Sequence, residues 1–391
     1  MNRQAPLWLL TLITFSGTLA MHIFVPALPE AAQDLGASIG AMQMTMSVYI
    51  FGLAVGQLVY GPLSDRFGRR PILMTGLVLY TITGLAAAFV PNVDSLIVLR
   101  LLQALGGCAG LVIGRAIVRE TALPHEAARR LAVMNLMVAV GPGAAPLVGG
   151  LLATTLGWRS IFFLLAALGV VNLAFTWRML SETREQTSGA SLATLTRNYR
   201  QLVVSPSFLG YAVGGGCATT AMYAFIAASP FIFVHQLNRP DYEVGIYLAV
   251  LVSGIWLGSM LATQLIARVA MDRLMIRANL VSVLAAFTLL AVVLSAHLTV
   301  PLAVGTMFVF SVGVGVASPA ALTQAMSVNP HVIGSAAGLY GFAQMGVGAL
   351  CTAIAGTGSN PALAAALVLS GAGVIGQISF WVAMRYRPRI T

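Results

Sequence analysis

Hydrophobic residues in this chain form long runs rather than the short alternating patterns of soluble helices and strands. Twelve windows of about 18 or more mostly apolar residues occur, and each is long enough to cross ~30 Å of hydrocarbon as a helix. They lie at 7–28, 39–61, 71–90, 95–118, 128–153, 159–180, 207–233, 243–267, 275–295, 301–326, 333–356 and 362–384. The pattern predicts an all-α membrane protein with twelve transmembrane helices.

The longest polar connection, residues 181–206, separates the sixth window from the seventh. It divides the chain into an N-terminal part, 1–180, and a C-terminal part, 207–391, with six windows each. We therefore predict two six-helix bundles joined by a cytoplasmic linker. Within the linker, residues 192–203 are apolar at helical intervals with arginines between, which predicts a short amphipathic helix on the membrane surface.

Composition and charge agree with a membrane protein and predict its orientation. Of 391 residues, 58% are hydrophobic and 8% charged, and all 21 basic residues are arginines. Most arginines fall in the N-terminal tail, the even-numbered connections and the C-terminal tail: Arg3, Arg66, Arg69, Arg70, Arg119, Arg129, Arg130, Arg184, Arg197, Arg200, Arg268, Arg273, Arg385, Arg387 and Arg389. The opposite side has little beyond Arg159 and Arg239. This asymmetry predicts cytoplasmic termini, with the lipid bilayer rather than nucleic acid as the partner of the basic chain.

The connection after the second window reads GPLSDRFGRRP, residues 61–71. Gly61 and Gly68 permit a tight corner between two helices, and Asp65 can pair with a nearby arginine or a helix N-terminus. The arginines of this stretch are Arg66, Arg69 and Arg70. We predict that Asp65 latches the cytoplasmic side of the two halves. The alternative is that the arginines only enforce the orientation in the membrane.

The fourth window contains Arg100 and Gln103 one helical turn apart, followed by Gly106, Gly110 and Gly114 at four-residue intervals. The glycines predict close packing against another helix. Arg100 lies about 8 Å inside the outer boundary, at a depth similar to that of His22 in the first window. We predict a functional buried arginine; the alternative is a side chain that extends to the outer interface.

The fifth window contains AVGPGAAPLVGG, residues 139–150. Prolines remove backbone donors and glycines thin the helix, so this element is predicted to be kinked and closely packed. The residues of the pattern are Gly141, Ala145, Pro146, Gly149 and Gly150.

The first window ends in LAMHIFVPALP, which places an ionisable imidazole, His22, inside the predicted span. All eleven acidic residues fall in connections or at window ends, and Glu30 is among the nearest to His22. Since an imidazole can load and release a proton near neutral pH, we predict that His22 couples proton movement, with Arg100 and Glu30 as further candidates. The alternative is a neutral histidine that only bonds a neighbouring helix.

Together these motifs resemble the major facilitator superfamily, and within it the Bcr/CflA group of drug/proton antiporters. The resemblance is densest over residues 15–180 and rests on the 61–71 corner, the buried arginine of the fourth window and the antiporter pattern of the fifth. It implies alternating access with the substrate site between the halves near the membrane midplane. One departure stands out: where that group has an aspartate in the first span, this chain has His22.

Amide and aromatic side chains inside the windows are candidates for the substrate cavity. They are Gln43, Tyr49, Gln103, Asn135, Tyr223, Trp256, Gln324, Tyr340 and Gln344. They describe a mixed polar and apolar pocket for a small organic molecule, although each is also explained by helix packing or by the membrane boundary.

The sequence thus predicts a monomeric inner-membrane exporter of small organic compounds, driven by protons. Its substrates are predicted to be neutral, zwitterionic or anionic, because no acidic residue lies at the midplane. An exporter dedicated to a cellular metabolite, such as a siderophore, nucleoside or amino acid derivative, is the alternative within transport, and a membrane sensor is a second. No metal or cofactor site and no pair of nucleophile and base is evident, so we do not expect an enzyme.

Overall fold

The computed structural model describes residues 6–122, 124–182, 192–266, 268–329 and 332–386, and every regular element in these ranges is a helix. Two compact units are present, Met1–Leu192 and Ala193–Thr391. The N-terminal unit contains α1 (Leu7–His22), α2 (Leu28–Asp34), α3 (Ile39–Phe67), α4 (Arg69–Ala87), α5 (Val93–Thr121), α6 (Pro124–Leu156) and α7 (Arg159–Met179). Arg3, Arg184, Arg387, Arg389 and linker residues 183–191 lie outside the described ranges.

The C-terminal unit begins with the linker stretch predicted to be helical, which forms a helix. It contains α8 (Leu192–Val204), α9 (Pro206–Thr220), α10 (Tyr223–Pro230), α11 (Asp241–Leu265), α12 (Met271–Leu294), α13 (Val300–Ser327), α14 (Ile333–Gly356) and α15 (Pro361–Arg385). Leu202 of α8 is buried in the same apolar cluster as Phe208 of α9 and Phe380 of α15. This packing attaches α8 to the C-terminal unit.

The prediction of an all-α membrane protein is confirmed. Within the described residues, eleven helical segments are long and apolar enough to span a membrane. They coincide with all the predicted windows except the fifth, which falls on α6, a helix of 33 residues. At ~1.5 Å per residue, α6 has more than the length needed to cross the hydrocarbon core.

The first span is broken where the sequence places its prolines. After α1 ends at His22, a single 3₁₀ turn occupies Val25–Ala27, and α2 starts at Leu28. Pro26 and Pro29 cannot donate backbone hydrogen bonds, so a regular helix cannot continue through this stretch. The break leaves carbonyl groups of the last turn of α1 available to side chains.

The seventh span is broken as well, which the hydropathy pattern did not indicate. Its first part, α9, ends at Thr220, and α10 resumes at Tyr223 after Ala221 and Met222. From Phe231 to Gln236 the backbone widens into a π-helix directly after Pro230. A proline that removes one hydrogen-bond donor favours such a local change in helix pitch.

Glycines bring α1 and α5 into backbone contact. A Cβ atom placed on Gly17 would lie 2.7 Å from the carbonyl oxygen of Gly107, and one on Gly110 would lie 2.5 Å from that of Ile13. Thr14 of α1 donates its hydroxyl to the carbonyl of Gly110 across this seam, at 3.2 Å. The glycine ladder predicted to pack closely therefore does so, with α1 as its partner at Gly110 and α4 at Gly106.

We expect Gly110→Val to destabilise the N-terminal unit, because its side chain must displace the α1 backbone, at a cost of about 1–3 kcal/mol. Gly305→Val is the matched control, since Gly305 also lies within a spanning helix but a Cβ there meets nothing within 4 Å. Thermal unfolding of the purified proteins in detergent should show a lower midpoint for Gly110→Val only. Equal midpoints for the two variants would contradict the packing.

Candidate functional site

Arg100 lies at the centre of the N-terminal unit with none of its surface exposed. Its Nη1 donates to Oε1 of Gln103 at 2.8 Å, and its Nη2 donates to the carbonyl oxygen of Ala20 at 3.0 Å. That carbonyl belongs to the last turn of α1 and is available because the helix ends at His22. The guanidinium is thus held inside the bundle and does not extend to its surface.

Aromatic rings surround this guanidinium. Its central carbon lies 4.0 Å from the ring centre of Tyr49, 5.6 Å from that of Phe24 and 5.9 Å from that of Phe162. In the described part of the chain, no carboxylate lies within ion-pair distance of Arg100. The ring faces, each contributing up to ~2 kcal/mol when desolvated, and the carbonyl end of α1 stabilise the charge instead. We call Tyr49, Phe24, Phe162 and the Ala20 carbonyl the arginine cage.

His22 is buried at the end of α1, with 2% of its surface exposed. Its Nδ1 lies 2.9 Å from the carbonyl oxygen of Thr18. Because a carbonyl can only accept, Nδ1 carries the hydrogen in this bond, and Nε2 is the nitrogen that takes up a proton. His22 and the Ala20 carbonyl bound by Arg100 therefore belong to the same turn of α1.

The last turns of α1 are also held by other helices. Tyr49 of α3 donates its hydroxyl to the carbonyl of Gly17 at 2.8 Å, and Tyr80 of α4 donates to that of Ser16 at 3.2 Å. Asn172 of α7 donates to the Ser16 hydroxyl at 2.7 Å. Side chains of α3, α4, α5 and α7 thus bind the end of one helix, so a displacement of α1 must alter several buried hydrogen bonds.

The proline-glycine pattern of α6 packs on this part of α1. A Cβ atom on Gly149 would collide with the carbonyl oxygen of Ile23, the residue after His22, and one on Gly141 would lie 3.0 Å from the ring of Phe15. Ala145, Pro146 and Gly150 are buried as well. The predicted close packing of this element is therefore directed at the turn that carries His22.

Glu30 occupies a different position from the arginine cage. Its carboxylate accepts from the backbone NH of Trp158 at 3.4 Å, at the start of α7. Asp34, one turn further along α2, pairs with Arg159 and accepts from the indole NH of Trp158 at 3.2 Å. The structure places both carboxylates with the N-terminus of α7, where the helix dipole favours negative charge.

The predicted cavity residues divide between the two units. In the N-terminal unit Gln43, Tyr49 and Gln103 are buried, whereas Asn135 is exposed. In the C-terminal unit Gln344 donates to the hydroxyl of Thr219 at 2.8 Å, beside the break in the seventh span.

The remaining cavity candidates of the C-terminal unit differ in burial and in their partners. Tyr340 is almost fully buried, Tyr223 is partly buried and Trp256 is partly exposed. Gln324 donates to Asp272 at 2.6 Å, near the start of α12. Tyr211 of α9 also donates to Asp272, at 3.3 Å, so this carboxylate connects three helices.

The 61–71 stretch forms an ion-pair network within the N-terminal unit. The helix α3 continues through Gly61 to Phe67, so the corner lies at Gly68 and the prediction of Gly61 as a corner residue is wrong. Arg69 pairs with Asp65 at 2.6 Å and with Glu120 at the end of α5 at 2.7 Å. Glu182 accepts from the backbone NH groups of Arg69 and Arg70, at 3.0 and 3.2 Å, and so caps α4.

The backbone conformation of Gly68 and the side-chain contacts of Arg66 and Arg70 also stabilise this corner. Gly68 adopts a φ of +95°, which a side chain would strain. Arg70 donates to the carbonyl of Trp177, while the guanidinium of Arg66 lies over the ring of Phe67. The sequence analysis did not select Glu120 or Glu182. Each could have been found as an acidic residue at the predicted inner end of a span, Glu120 after the fourth and Glu182 after the sixth.

Comparison with known proteins gives a family match over most of the chain. Residues 10–352 match the model of the Major Facilitator Superfamily. The uncharacterized MFS-type transporter YdgK of Bacillus subtilis is 28% identical, covering 97% of this chain and 95% of the relative. The bicyclomycin resistance protein homolog of Haemophilus influenzae is 24% identical with 96% of both chains covered. The multidrug transporter MdfA of Escherichia coli is 26% identical over 88% of this chain and 85% of the relative.

Solved structures show the same fold. A D-xylose-proton symporter superposes with a TM-score of 0.77 at 14% identity, covering 98% of this chain and 97% of the other. A bacterial homologue of the human lysosomal transporter Spinster superposes with a TM-score of 0.76 at 15% identity, with 98% of both chains covered.

We expect Asp65→Asn to impair transport while leaving the fold intact, because Glu120 still pairs with Arg69 and Glu182 still caps α4. The initial rate of transport should fall about tenfold or more, equivalent to ~1.4 kcal/mol in activation free energy. Glu126→Gln is the control, since Glu126 forms a comparable i,i+4 pair with Arg130 at 2.5 Å on α6. Transport by Asp65→Asn at the wild-type rate, with normal membrane insertion, would exclude a latch at Asp65.

Proposed function

Because the chain belongs to the Major Facilitator Superfamily, a family of multi-pass membrane transporters, we propose that it is an inner-membrane exporter of small organic compounds that exchanges protons for substrate by alternating access. The observation that supports this most directly is the arginine cage. It holds a buried cation on the turn of α1 that carries the ionisable His22. Relatives named for multidrug transport and bicyclomycin resistance support efflux as the direction of transport.

In the proposed cycle, His22 carries the proton that an aspartate carries in the related antiporters. Protonation at Nε2 places a second positive charge on the end of α1 that already contacts Arg100. Two like charges in the same desolvated part of the bundle repel each other more strongly than they would in water. Proton uptake would therefore weaken the hydrogen bond between Arg100 and the Ala20 carbonyl and displace the end of α1. Because the α6 glycines pack against this turn, the displacement would be transmitted to α6.

The latch at Asp65 and the orientation in the membrane belong to the same proposal. Arginines on the predicted inner side, including the Arg69 network, support cytoplasmic termini by the positive-inside rule. The Asp65 carboxylate, about one third exposed, is accessible enough to exchange partners during the cycle. Gln344, Thr219 and Tyr340, close to the break in the seventh span, are proposed as the substrate-facing groups of the C-terminal unit.

We expect His22→Ala to retain substrate binding but to lose coupling to the pH gradient, because the side chain that takes up the proton is gone. Everted membrane vesicles with an imposed pH gradient, and labelled chloramphenicol as the probe, measure coupling. Equilibrium binding to the purified variant measures affinity. His297→Ala is the control, since His297 is exposed in the connection before α13.

Two outcomes would contradict this assignment in different ways. Proton-driven export by His22→Ala would show that another group carries the proton, and Glu30→Gln would then test the next candidate. Wild-type export that ignores the pH gradient would exclude antiport itself.

We also expect neutral, zwitterionic and anionic compounds to be preferred over lipophilic cations. A cation within 4–8 Å of Arg100, at an effective dielectric constant near 20, is repelled by about 2–4 kcal/mol, and the cage contains no carboxylate to offset this. Cells that express the protein should gain resistance to neutral phenicols but not to ethidium, relative to cells with an empty vector. Strong protection against ethidium that is lost in Glu30→Gln would show that a carboxylate, not Arg100, sets the charge of the site.

A further inference from the structure

A second arginine within α5, Arg115, lies outside the site described so far. It is partly buried, and its Nε atom is buried without a hydrogen-bond partner. Across the described residues, no hydrogen bond or ion pair is formed by the Arg115 side chain. The fourth span thus carries one fully buried guanidinium group, that of Arg100, and one partly buried group, that of Arg115.

The neighbouring arginines at this end of the unit are different. Arg69 pairs with two carboxylates, Arg130 pairs with Glu126, and Arg70 donates to a backbone carbonyl. The Nε atom of Arg115 has lost its hydration without gaining a protein partner, so a partner that binds this guanidinium from outside the unit is favourable. Such a partner must carry negative charge.

Helical geometry places Arg115 near the predicted cytoplasmic end of the span. It follows Cys108 by about two full turns and so lies on the same face of α5. Cys108 packs against α3, where its thiol donates to the carbonyl of Leu53 at 3.3 Å. Arg115 lies about 22 Å beyond Arg100 along the α5 axis, and Arg119, one turn later, is exposed.

We propose that Arg115 is an entry subsite that binds the carboxylate of an anionic substrate on the predicted cytoplasmic side. This inference rests on the proposed export function and specifies its substrate class. The guanidinium can donate two parallel hydrogen bonds to a carboxylate, a geometry that an ammonium group does not reproduce. Neutral substrates lack the group that Arg115 binds and enter without its help.

Two probes that share a scaffold and differ in charge test the subsite: chloramphenicol, which is neutral, and chloramphenicol hemisuccinate, which carries a carboxylate. Dissociation constants are measured with the purified full-length protein in lipid-free detergent and in liposomes with and without phosphatidylglycerol. The variants are Arg115→Gln, which removes the charge, and Arg115→Lys. Lysine keeps the charge but cannot donate two parallel hydrogen bonds to a carboxylate. Arg119→Gln is the matched control on the next turn.

Arg115→Gln should raise the dissociation constant of the hemisuccinate by about tenfold or more, as expected for loss of a charge-assisted hydrogen bond. The dissociation constant of chloramphenicol should stay within about twofold of the wild-type value. Arg115→Lys should recover part of the loss, and Arg119→Gln should change neither probe. Thermal unfolding of each variant close to that of the wild type shows that the fold is retained.

An equal effect on both probes, or none on the hemisuccinate, would overturn the subsite. An effect seen only with phosphatidylglycerol present would assign Arg115 to a lipid phosphate and overturn it too. Wild-type protein that exports chloramphenicol but does not bind the hemisuccinate contradicts this inference alone. Wild-type protein that exports neither probe contradicts the proposed function as well.

Discussion

The contact on which the N-terminal unit depends is the bond between the Arg100 guanidinium and the Ala20 carbonyl. A fully buried cation costs several kcal/mol unless its environment replaces water. Here the break in the first span supplies two groups that replace water. It ends α1, so that the Ala20 carbonyl is available to the guanidinium, and it directs the ring of Phe24 toward the same group. A charge normally balanced by a carboxylate is stabilised by a helix end and aromatic faces.

In the proposed cycle, α1 is the element that responds to a change of charge. Four neighbouring helices bind its last turns through polar side chains, and α6 approaches so closely at Gly149 that no Cβ atom fits. Close-packed interiors have discrete arrangements rather than gradual deformations. In the proposed cycle, the protonation state of His22 would select between two such arrangements, whereas the carboxylates of Glu30 and Asp34 hold the far end of the span to α7.

The ion-pair network around Arg69 is completed by residues distant in the chain. Asp65 and Arg69 are one turn apart, but the network closes through Glu120 and Glu182, which come from the ends of two other helices. In the proposed latch, these partners would preserve the corner while the Asp65 ion pair is exchanged. That redundancy is what a contact needs if it opens and closes while the bundle stays folded.

The sequence alone determined the membrane-spanning helices, because runs of apolar residues of this length have no other stable location and because backbone groups in lipid must bond within a helix. It also identified Arg100, His22, the glycine ladder and the α6 pattern as unusual residues at defined depths. The arginine cage, the direction of the Glu30 carboxylate and the break at Ala221 were decided only by the tertiary structure. Arg100 and Ala20, like Arg69 and Glu182, are distant in the chain, and a local pattern does not indicate which side chains meet after packing. The Nε atom of Arg115, which has no hydrogen-bond partner among the described residues, could be identified only from the tertiary structure for the same reason.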